Sequence, residues 1–305
     1  MSSKAKPIDA AGTVPWYNKS ITPDALDIWS SVKELGLSQH IVDLDILGLT
    51  VIPRETFATA QFIDALRSKV LDVAERRFGE RLDLNQGGVV GAVQNRSVGQ
   101  MIRFLLLEDP VFQEALLNPV ILTLASYMLG KKAILSALSA VTKAAGGSDL
   151  FLHCDNFFMA SPFPAIPQSL NLTWALTDYA EDSGPLFYVP GSHKYFRQPR
   201  GDEGMDSIKP VLAPAGSLIV WNGNTWHGAY GRTSPGLRLS MIMFMTRPSH
   251  RTQERYRERV SREILDRHPP RFATLLGQHM NYGWEEDGPN PDYDPASDAG
   301  AHYFD

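Results

Sequence analysis

The stretch LFLHCDNFF, residues 150–158, places a histidine and an aspartate two positions apart within a run of apolar and aromatic residues. In a strand, side chains two positions apart point to the same face, so His153 and Asp155 would project together while Cys154 points away. Polar side chains are costly to bury in such a setting unless they have a partner. One imidazole and one carboxylate are two of the three ligands of a 2-His-1-carboxylate site, which suits non-haem Fe(II). A hydrogen-bonded His–Asp pair in a turn is the alternative that this stretch alone leaves open.

A second stretch, VWNGNTWHGAYGR, offers the third ligand. His227 follows an apolar strand pattern and precedes Gly228, which lets the backbone turn close to a ligand. Eleven residues later, Arg238 lies in the otherwise apolar stretch LRLSMIMFM, with Ser240 on the same face. A buried arginine needs an anionic partner, and its planar fork pairs with a carboxylate through two hydrogen bonds. A dicarboxylate that chelates the metal and reaches Arg238 and Ser240 would satisfy these groups, whereas a structural salt bridge is the alternative for Arg238.

The pattern of the sequence changes near residue 133. Before this point, ILGLTVIP (46–53) indicates a short buried strand ended by proline, and FIDALRSKVLDVA has the apolar spacing of an amphipathic helix. NPVILTLASYMLG has Asn118 as N-cap, Pro119 as first helical residue and Gly130 as stop. After it, short apolar runs alternate with Gly, Pro, Asp and Ser, which is typical of a β-sandwich or barrel. No repeat or linker divides the chain, so we expect a single catalytic domain over residues 1–305. Its parts are a helix-rich segment (45–132), a strand-rich core (133–248), and a C-terminal charged helix with an acidic tail (250–305).

Composition and charge exclude several classes of function. The 305 residues are 43 % hydrophobic and carry a net charge of −5, which gives no electrostatic footprint for nucleic acid or an anionic membrane. A single cysteine rules out an internal disulfide and fits a reducing compartment. The first residues lack the apolar core of a signal peptide, and the longest apolar run, PVILTLASYML, is too short to cross a bilayer. We therefore expect a cytoplasmic protein with a small-molecule partner. Its oligomeric state stays open, with a homodimer as one alternative.

The order of these motifs resembles that of a known family. HCD, then NLTWALTDYAEDSGPLFYVPGSH, then WHGAYG and LRLS are similar to the phytanoyl-CoA dioxygenase family of Fe(II)- and 2-oxoglutarate-dependent oxygenases. LGLTVIPRETF, followed by a helix pattern, looks like the N-terminal segment of that family. The resemblance covers residues 45–248 and implies a mainly β fold with flanking helices around a double-stranded β-helix (jelly-roll, cupin-like) core.

The resemblance also implies roles for individual residues. His153, Asp155 and His227 would ligate the metal and form the catalytic centre, and Arg238 with Ser240 would bind the distal carboxylate of 2-oxoglutarate. The implied cofactors are therefore Fe(II), 2-oxoglutarate as cosubstrate, and O₂.

Two further residues are implied near the cosubstrate. Lys143 lies where family members often carry a lysine, with a solvent-facing lysine as the alternative. Trp174 falls in the strand that lines the same pocket, with ordinary core packing as the alternative. Cys154 replaces the glutamine that is commoner between the two ligands, and we expect it to be a small buried side chain. His193, in the PGSH loop, is expected to have a structural role.

The implied activity is that of a non-haem iron, 2-oxoglutarate-dependent dioxygenase that oxidises a small organic molecule. Related halogenases replace the ligand carboxylate with a small residue, whereas this chain keeps Asp155. Hydroxylation, desaturation and ring formation therefore stay open, and chlorination is not expected. The sequence has no clear basic cradle for a coenzyme A phosphate, which favours a free small molecule of the kind found in secondary metabolism. Two alternatives stay open: a metal-dependent oxygenase or epimerase that does not use 2-oxoglutarate, and a non-catalytic jelly-roll binding protein.

Candidate substrate-contacting residues lie on both sides of the metal motif. Phe157, Phe158, Met159 and Phe163 could line an apolar pocket, or could pack in the core. The polar residues at 94–96 could recognise a polar or anionic group, or could face water.

Overall fold

Strands make up the centre of the computed structural model, which describes residues 22–79, 81–86, 98–157, 159–278, 284–285 and 288–289. The strands are β1 (Leu49–Ile52), β2 (Gln100–Ile102), β3 (Ile134–Ala144), β4 (Leu150–His153), β5 (Ser169–Ala175), β6 (Leu186–Tyr188), β7 (Lys209–Pro210), β8 (Leu218–Asn222), β9 (His227–Ala229), β10 (Leu237–Thr246), β11 (Trp284–Glu285) and β12 (Gly288–Pro289). The helices are α1 (Thr22–Glu34), α2 (Ser38–Ile46), α3 (Ala60–Phe78), α4 (Pro110–Leu116), α5 (Pro119–Leu129), α6 (Tyr256–Arg259), α7 (Arg262–Asp266) and α8 (Pro270–Leu275). Short 3₁₀ helices cover Arg54–Thr56, Ser192–Tyr195 and Met205–Ser207.

Two antiparallel sheets face each other. The larger sheet has the strand order β1-β8-β5-β10-β3-β2, and the smaller has the order β4-β9-β6-β7. Apolar side chains of both sheets pack together between them, among them Ile219 and Trp221 of β8 and Leu186 and Ala229 of the smaller sheet. Two antiparallel sheets around a shared interior form a β-sandwich, one of the two arrangements that the strand pattern predicts, and the jelly roll that the resemblance implies is a sandwich of this kind.

Strand β5 shows how the sequence positions the interior. Successive residues of a strand face opposite sides of the sheet. Leu170, Leu172 and Trp174 pack on the helix side of the larger sheet, in the main hydrophobic cluster. Asn171 and Thr173 instead line a cavity between the two sheets. The polar positions of this strand therefore point into the sandwich.

The helices supply apolar side chains to the core on the outer face of the larger sheet. Helix α3 begins at the N-cap Thr59, whose hydroxyl accepts from Phe62 N at 3.2 Å, and ends at Gly79, whose φ of 82° is typical of a helix stop. Helix α5 begins after Asn118, whose side chain accepts from Val120 N at 3.0 Å. Both helices and the Asn118 cap agree with the sequence prediction. Among the described residues, no helix combines the length and apolar character needed to span a bilayer.

Two features differ from the sequence prediction. The segment predicted as one charged helix forms two short helices, α6 and α7. The chain is extended at Val260, and Ser261 caps a new helix by accepting from Ile264 N at 3.3 Å. The helix-rich segment also supplies β2, which the sequence did not predict, beside β1, which lies within the predicted strand at 46–53, and these are the two outer strands of the larger sheet. The helix-rich and strand-rich segments are thus joined through one sheet.

Candidate active site

Two neighbouring strands of the smaller sheet bring the two predicted histidine ligands together. His153 ends β4 and pairs in register with His227, which begins β9, and the centroids of their rings are 4.4 Å apart. The carboxylate oxygens of Asp155 lie 3.9 Å from His153 Nε2 and 3.7 Å from His227 Nε2. One ligand atom from each of these residues lies within 4.8 Å of the other two. We refer to His153, Asp155 and His227 together as the metal group. In the described part of the chain, it is the one cluster of at least three His, Cys, Asp or Glu side chains with such spacing.

Both imidazole rings are held with Nε2 toward the carboxylate. His153 Nδ1 lies 2.8 Å from Phe151 O, and His227 Nδ1 lies 2.9 Å from Thr225 O. Since a carbonyl oxygen only accepts, Nδ1–H is the donor in both contacts, and each Nε2 keeps its lone pair for a ligand. Burial, and next the neighbouring His227, lower the pKa of His153 to about 4, so this ring is neutral near neutral pH.

Asp155 is oriented by two hydrogen bonds. Asn171 Nδ2 donates to Asp155 Oδ2 at 2.7 Å, and Asp155 N donates to Gly223 O at 2.9 Å. The side chain of Asp155 is 21 % exposed, so water can reach part of the carboxylate. Asn171 is not among the site residues that the motifs predict. The polar alternation in LNLTWAL, where Asn171 and Thr173 alternate with Leu170, Leu172 and Trp174, was the signal that could have indicated it.

A cavity of about 140 Å³ connects the metal group with the two predicted carboxylate-binding residues. Asp155 and His227 line it, and so do Arg238 and Ser240. The Arg238 guanidinium lies 4.6 Å from the centroid of the Tyr179 ring and donates to the backbone oxygen of Gly184. Arg238 is 4 % exposed, and its Nε has no hydrogen-bond partner among the described residues. The guanidinium is thus buried beside the cavity without a carboxylate partner from that part of the chain.

Lys143 is buried opposite Arg238, and does not face solvent. The two residues pair in register across β3 and β10, and Lys143 lies on the same face as Val141, which lines the cavity. Lys143 is 1 % exposed, and its Nζ has no partner among the described residues. Burial, and next the positive charge of Arg238, lower the pKa of Lys143 to about 8, against a raising effect of Asp149. Two adjacent buried cations without an anion are costly, so this place favours an anionic ligand.

Trp174 does not reach the cavity between the sheets. Its side chain is fully buried on the helix side of β5, with ring centroids 5.1 Å from Phe57 and 5.9 Å from Phe62. Asn171 and Thr173 face the cavity instead, because they have the opposite parity along the strand. The structure therefore places Trp174 in core packing, which is the alternative considered for it.

Cys154 and His193 occupy structural positions, as the sequence predicts. Cys154 is fully buried in a cluster that also contains Phe163, and burial raises the pKa of its thiol to about 11. His193 is buried in the turn after β6, and its Nε2 lies 3.2 Å from Asp45 O. Neither side chain belongs to the metal group.

A larger pocket adjoins the metal group. Its volume is about 330 Å³, at the small end of the range for small-molecule sites, and Asp155 lines both this pocket and the smaller cavity. Of the residues for which pocket lining and core packing were both open, Phe157 and Met159 line the larger pocket, whereas Phe163 packs in the core. Phe158 and the predicted polar residues at 94–96 lie outside the described residues.

The sequence matches a protein-family model and several curated proteins. The model described as Phytanoyl-CoA dioxygenase (PhyH) matches residues 47–240. A dioxygenase of Aspergillus fumigatus, Dioxygenase af480, is 27 % identical over 57 % of this chain and 57 % of that protein. The chain thus matches little more than half the length of that curated relative.

Solved structures share the fold. A crystal structure of EctD from S. alaskensis with bound Fe has a TM-score of 0.56 and 17 % identity, covering 71 % of this chain and 79 % of that one. SnoK, a non-haem alpha-ketoglutarate-dependent carbocyclase from nogalamycin biosynthesis, has a TM-score of 0.55 and 19 % identity, covering 76 % of this chain and 90 % of that one. Another EctD structure holds 2-oxoglutarate and 5-hydroxyectoine. These similarities confirm the expected jelly-roll core with flanking helices.

Family membership follows from the extent of the sequence match. Residues 47–240 are more than half of the chain. They include the whole metal group, together with Arg238 and Ser240. This chain therefore belongs to the phytanoyl-CoA dioxygenase family of Fe(II)- and 2-oxoglutarate-dependent oxygenases, as its motifs predict.

Proposed function

We propose that this chain binds Fe(II) through His153, Asp155 and His227, and that it uses 2-oxoglutarate and O₂ to oxidise a small organic molecule. The observation that supports this most directly is the shared cavity. Asp155 and His227 line the same space as Arg238, a buried cation with no carboxylate partner among the described residues. A metal ligand set at one place and an unpaired cation nearby are what a chelating dicarboxylate requires.

The donor set fits Fe(II). Two imidazoles and one carboxylate leave open coordination positions, which is the ligand pattern of non-haem iron oxygenases. When bound, iron would supply the activation of O₂ for substrate oxidation, coupled to decarboxylation of 2-oxoglutarate. The backbone carbonyls that accept from the two Nδ1–H groups, and the amide of Asn171, hold the three ligands in orientation before any metal binds.

The residues on the β10 side of the smaller cavity fit the distal carboxylate of 2-oxoglutarate. Arg238 presents a planar fork that is positioned over Tyr179, and the Ser240 hydroxyl lies on the same strand face. Lys143 adds a second positive charge from the neighbouring strand. A bound carboxylate would offset the repulsion between these two cations, so the same contacts that orient the cosubstrate also stabilise the buried charges.

The buried cations weigh against the two alternatives. An oxygenase or epimerase that works without 2-oxoglutarate has no distal carboxylate for Arg238 and Lys143 to bind. A binding protein without chemistry has no need of two histidines whose Nε2 atoms converge on one carboxylate. Because Asp155 is kept, oxidation by hydroxylation is favoured over chlorination, with desaturation and ring formation as related outcomes of the same site. The single cysteine favours a reducing compartment, and we place the enzyme in the cytoplasm.

Anaerobic Fe(II) titration, with and without 2-oxoglutarate, tests the proposal. We expect a visible charge-transfer band only when both are present. Asp155→Ala should lose iron binding, whereas Arg238→Met should keep iron and lose the band unless 2-oxoglutarate is raised at least about tenfold, since a charged hydrogen bond is lost. Arg247→Met is the matched control, because Arg247 follows the same strand but donates to Pro167 O, away from the cavity.

Two results would contradict the proposal. An Fe(II) affinity in Asp155→Ala equal to that of the unmodified protein would exclude Asp155 as a metal ligand. A band with the same 2-oxoglutarate dependence in Arg238→Met and in the Arg247→Met control would remove Arg238 from the cosubstrate site.

A further inference from the structure

The larger pocket contains a charged group that the proposed chemistry does not use. Among the described residues that line this pocket of about 330 Å³, Asp155 belongs to the metal group and Arg251 is the one permanent cation. Arg251 is exposed, and it has no hydrogen bond, ion pair or ring contact with any described residue. The pocket therefore has an unpaired positive charge in its wall.

A second arginine lies beside the same wall. Arg103 donates to the Sδ atom of Met101, a pocket-lining residue, at 3.5 Å, and makes no ion pair with a described residue. We refer to Arg103 and Arg251 together as the basic rim. The four exposed charged residues at 255–259 are three arginines and one glutamate, so the surface next to the rim is also positive.

The backbone of the basic rim is fixed. The carboxylate of Glu254 is buried and accepts from Phe104 N and from Leu138 N at 2.9 Å each. It also accepts from the Tyr256 hydroxyl. Phe104 directly follows Arg103, so a single carboxylate ties both segments of the basic rim to strand β3. The backbone positions of both arginines are thus fixed at the pocket, so only their side chains have to be ordered when a ligand binds.

The rest of the pocket wall is largely apolar. Phe157 is 53 % exposed and stacks on His153, with ring centroids 5.3 Å apart and planes 20° from parallel. Ile242 and Phe244 of β10 and Met159 also line this pocket. The half-exposed ring beside the metal group thus offers an apolar face, within an apolar part of the pocket, on which a ligand can pack.

We propose that this pocket binds the substrate by an apolar body, which packs on Phe157 and the β10 side chains, and by an anionic group, which the basic rim binds. A carboxylate and a phosphate share the chemistry that a guanidinium recognises. Anchoring the anion at Arg251 would direct the apolar body toward the metal group, so the basic rim fixes which carbon is presented for oxidation. This inference rests on the proposed function, because the ligand is a substrate only if Asp155 holds the reacting metal.

Three probes with one skeleton test the inference on the full-length protein without added iron. They are 2-naphthoate, 2-naphthyl phosphate and the neutral 2-naphthamide, with binding measured by isothermal titration calorimetry. We expect the better anion to bind at least about tenfold more tightly than the amide, since each charge-assisted hydrogen bond contributes about one to two decades. The preference between the two anions distinguishes a carboxylate substrate from a phosphate substrate.

Three variants locate the effect. Arg251→Gln should bring the affinity for the anions down to that for the amide, and Arg103→Gln should weaken the anions to a smaller degree. Arg255→Gln is the matched control, because it removes an equal charge four residues away at a side chain that does not line the pocket. We expect Arg255→Gln to keep the discrimination within about twofold.

Several results would overturn the inference. Equal affinity for anion and amide in the unmodified protein would do so, as would the absence of binding by every probe. Discrimination that persists in Arg251→Gln would place the anion elsewhere, for example at Arg238. Because no iron is present, these outcomes are independent of the Fe(II) and 2-oxoglutarate titration, so failure here and failure of the proposed function can be told apart.

Discussion

The hydrogen bond from Asn171 to Asp155 should set the affinity of the metal site for iron. Asn171 Nδ2 donates to Asp155 Oδ2 at 2.7 Å, and Asn171 is 5 % exposed. Replacing it with alanine removes the donor that orients the carboxylate and lets Asp155 rotate away from the two histidines. Partners that orient metal ligands contribute about 10- to 100-fold to metal affinity.

The structure narrows this range. A hydrogen bond to a charged group contributes about 1.5–3 kcal/mol when its partner is fully buried. Asp155 is 21 % exposed, so water can replace part of the lost interaction, and its backbone N still donates to Gly223 O. We therefore expect an effect at the lower end of the 10- to 100-fold range, which is a loss of about tenfold in Fe(II) affinity, or about 1.4 kcal/mol.

Thr173→Ala is the matched control for Asn171→Ala. Thr173 lies two residues along the same strand, faces the same cavity and is buried, but its hydroxyl has no hydrogen-bond partner among the described residues. Anaerobic equilibrium dialysis with Fe(II) measures the dissociation constant of both variants. If Asn171→Ala binds iron within about twofold of the unmodified protein, or if Thr173→Ala is weakened equally, the orienting role of Asn171 is refuted.

Three further predictions concern buried polar groups. The pKa of Lys143 is lowered to about 8, so its ammonium is largely charged below that pH and would attract the dicarboxylate that we propose as cosubstrate. As the pH rises above this value, binding must take up a proton, and the affinity for 2-oxoglutarate should fall by up to about tenfold per pH unit. In 2-oxoglutarate titrations at increasing pH, Lys143→Met should abolish this fall in affinity. A fall that persists in the variant would have to come from another group. His193→Ala should lower the free energy of unfolding by about 1–3 kcal/mol in urea, because its buried hydrogen bond is lost, yet leave Fe(II) affinity unchanged; weakened iron binding would contradict its structural role. Glu254→Gln places an amide donor against backbone donors and should lower the free energy of unfolding, measured in urea, by about 2–4 kcal/mol. The exposed Glu258→Gln control should change stability by less than about 0.5 kcal/mol, and equal effects of the two variants would contradict the buried network.

The local motifs were sufficient to single out the candidate metal ligands, and the resemblance to the family joined them into one metal group. His153 is the last residue of β4 and Asp155 lies in the bend that follows it, whereas Gly228 after His227 permits a close backbone approach. The Asn118 cap was predictable for the same reason, since capping depends on residues within one turn of the helix. In each case the chemistry is contained in a few consecutive residues.

Features that depend on distant parts of the chain could not be predicted in this way. Both faces of β5 are buried, so burial alone does not distinguish the cavity side from the helix side. The placement of Trp174 follows only from the parity that it shares with Leu170 and Leu172. The backbone N–H groups that donate to Glu254 belong to residues more than one hundred positions earlier, which is why the charged segment around it was predicted as one continuous helix. The basic rim likewise joins Arg103 and Arg251, which no local pattern connects.

The helix-rich segment contributes two strands to the larger sheet, and this limits where the chain could be truncated. Strand β1 covers the free side of β8, and β2 covers the free side of β3. A chain that began at Ile134 would lose both and would present two rows of unpaired backbone N–H and C=O groups. Such rows are templates for pairing with another copy, and here they would flank strands rich in apolar residues. Removing the N-terminal part is therefore expected to produce self-association through open sheet edges, so the strand-rich segment is not a transferable module.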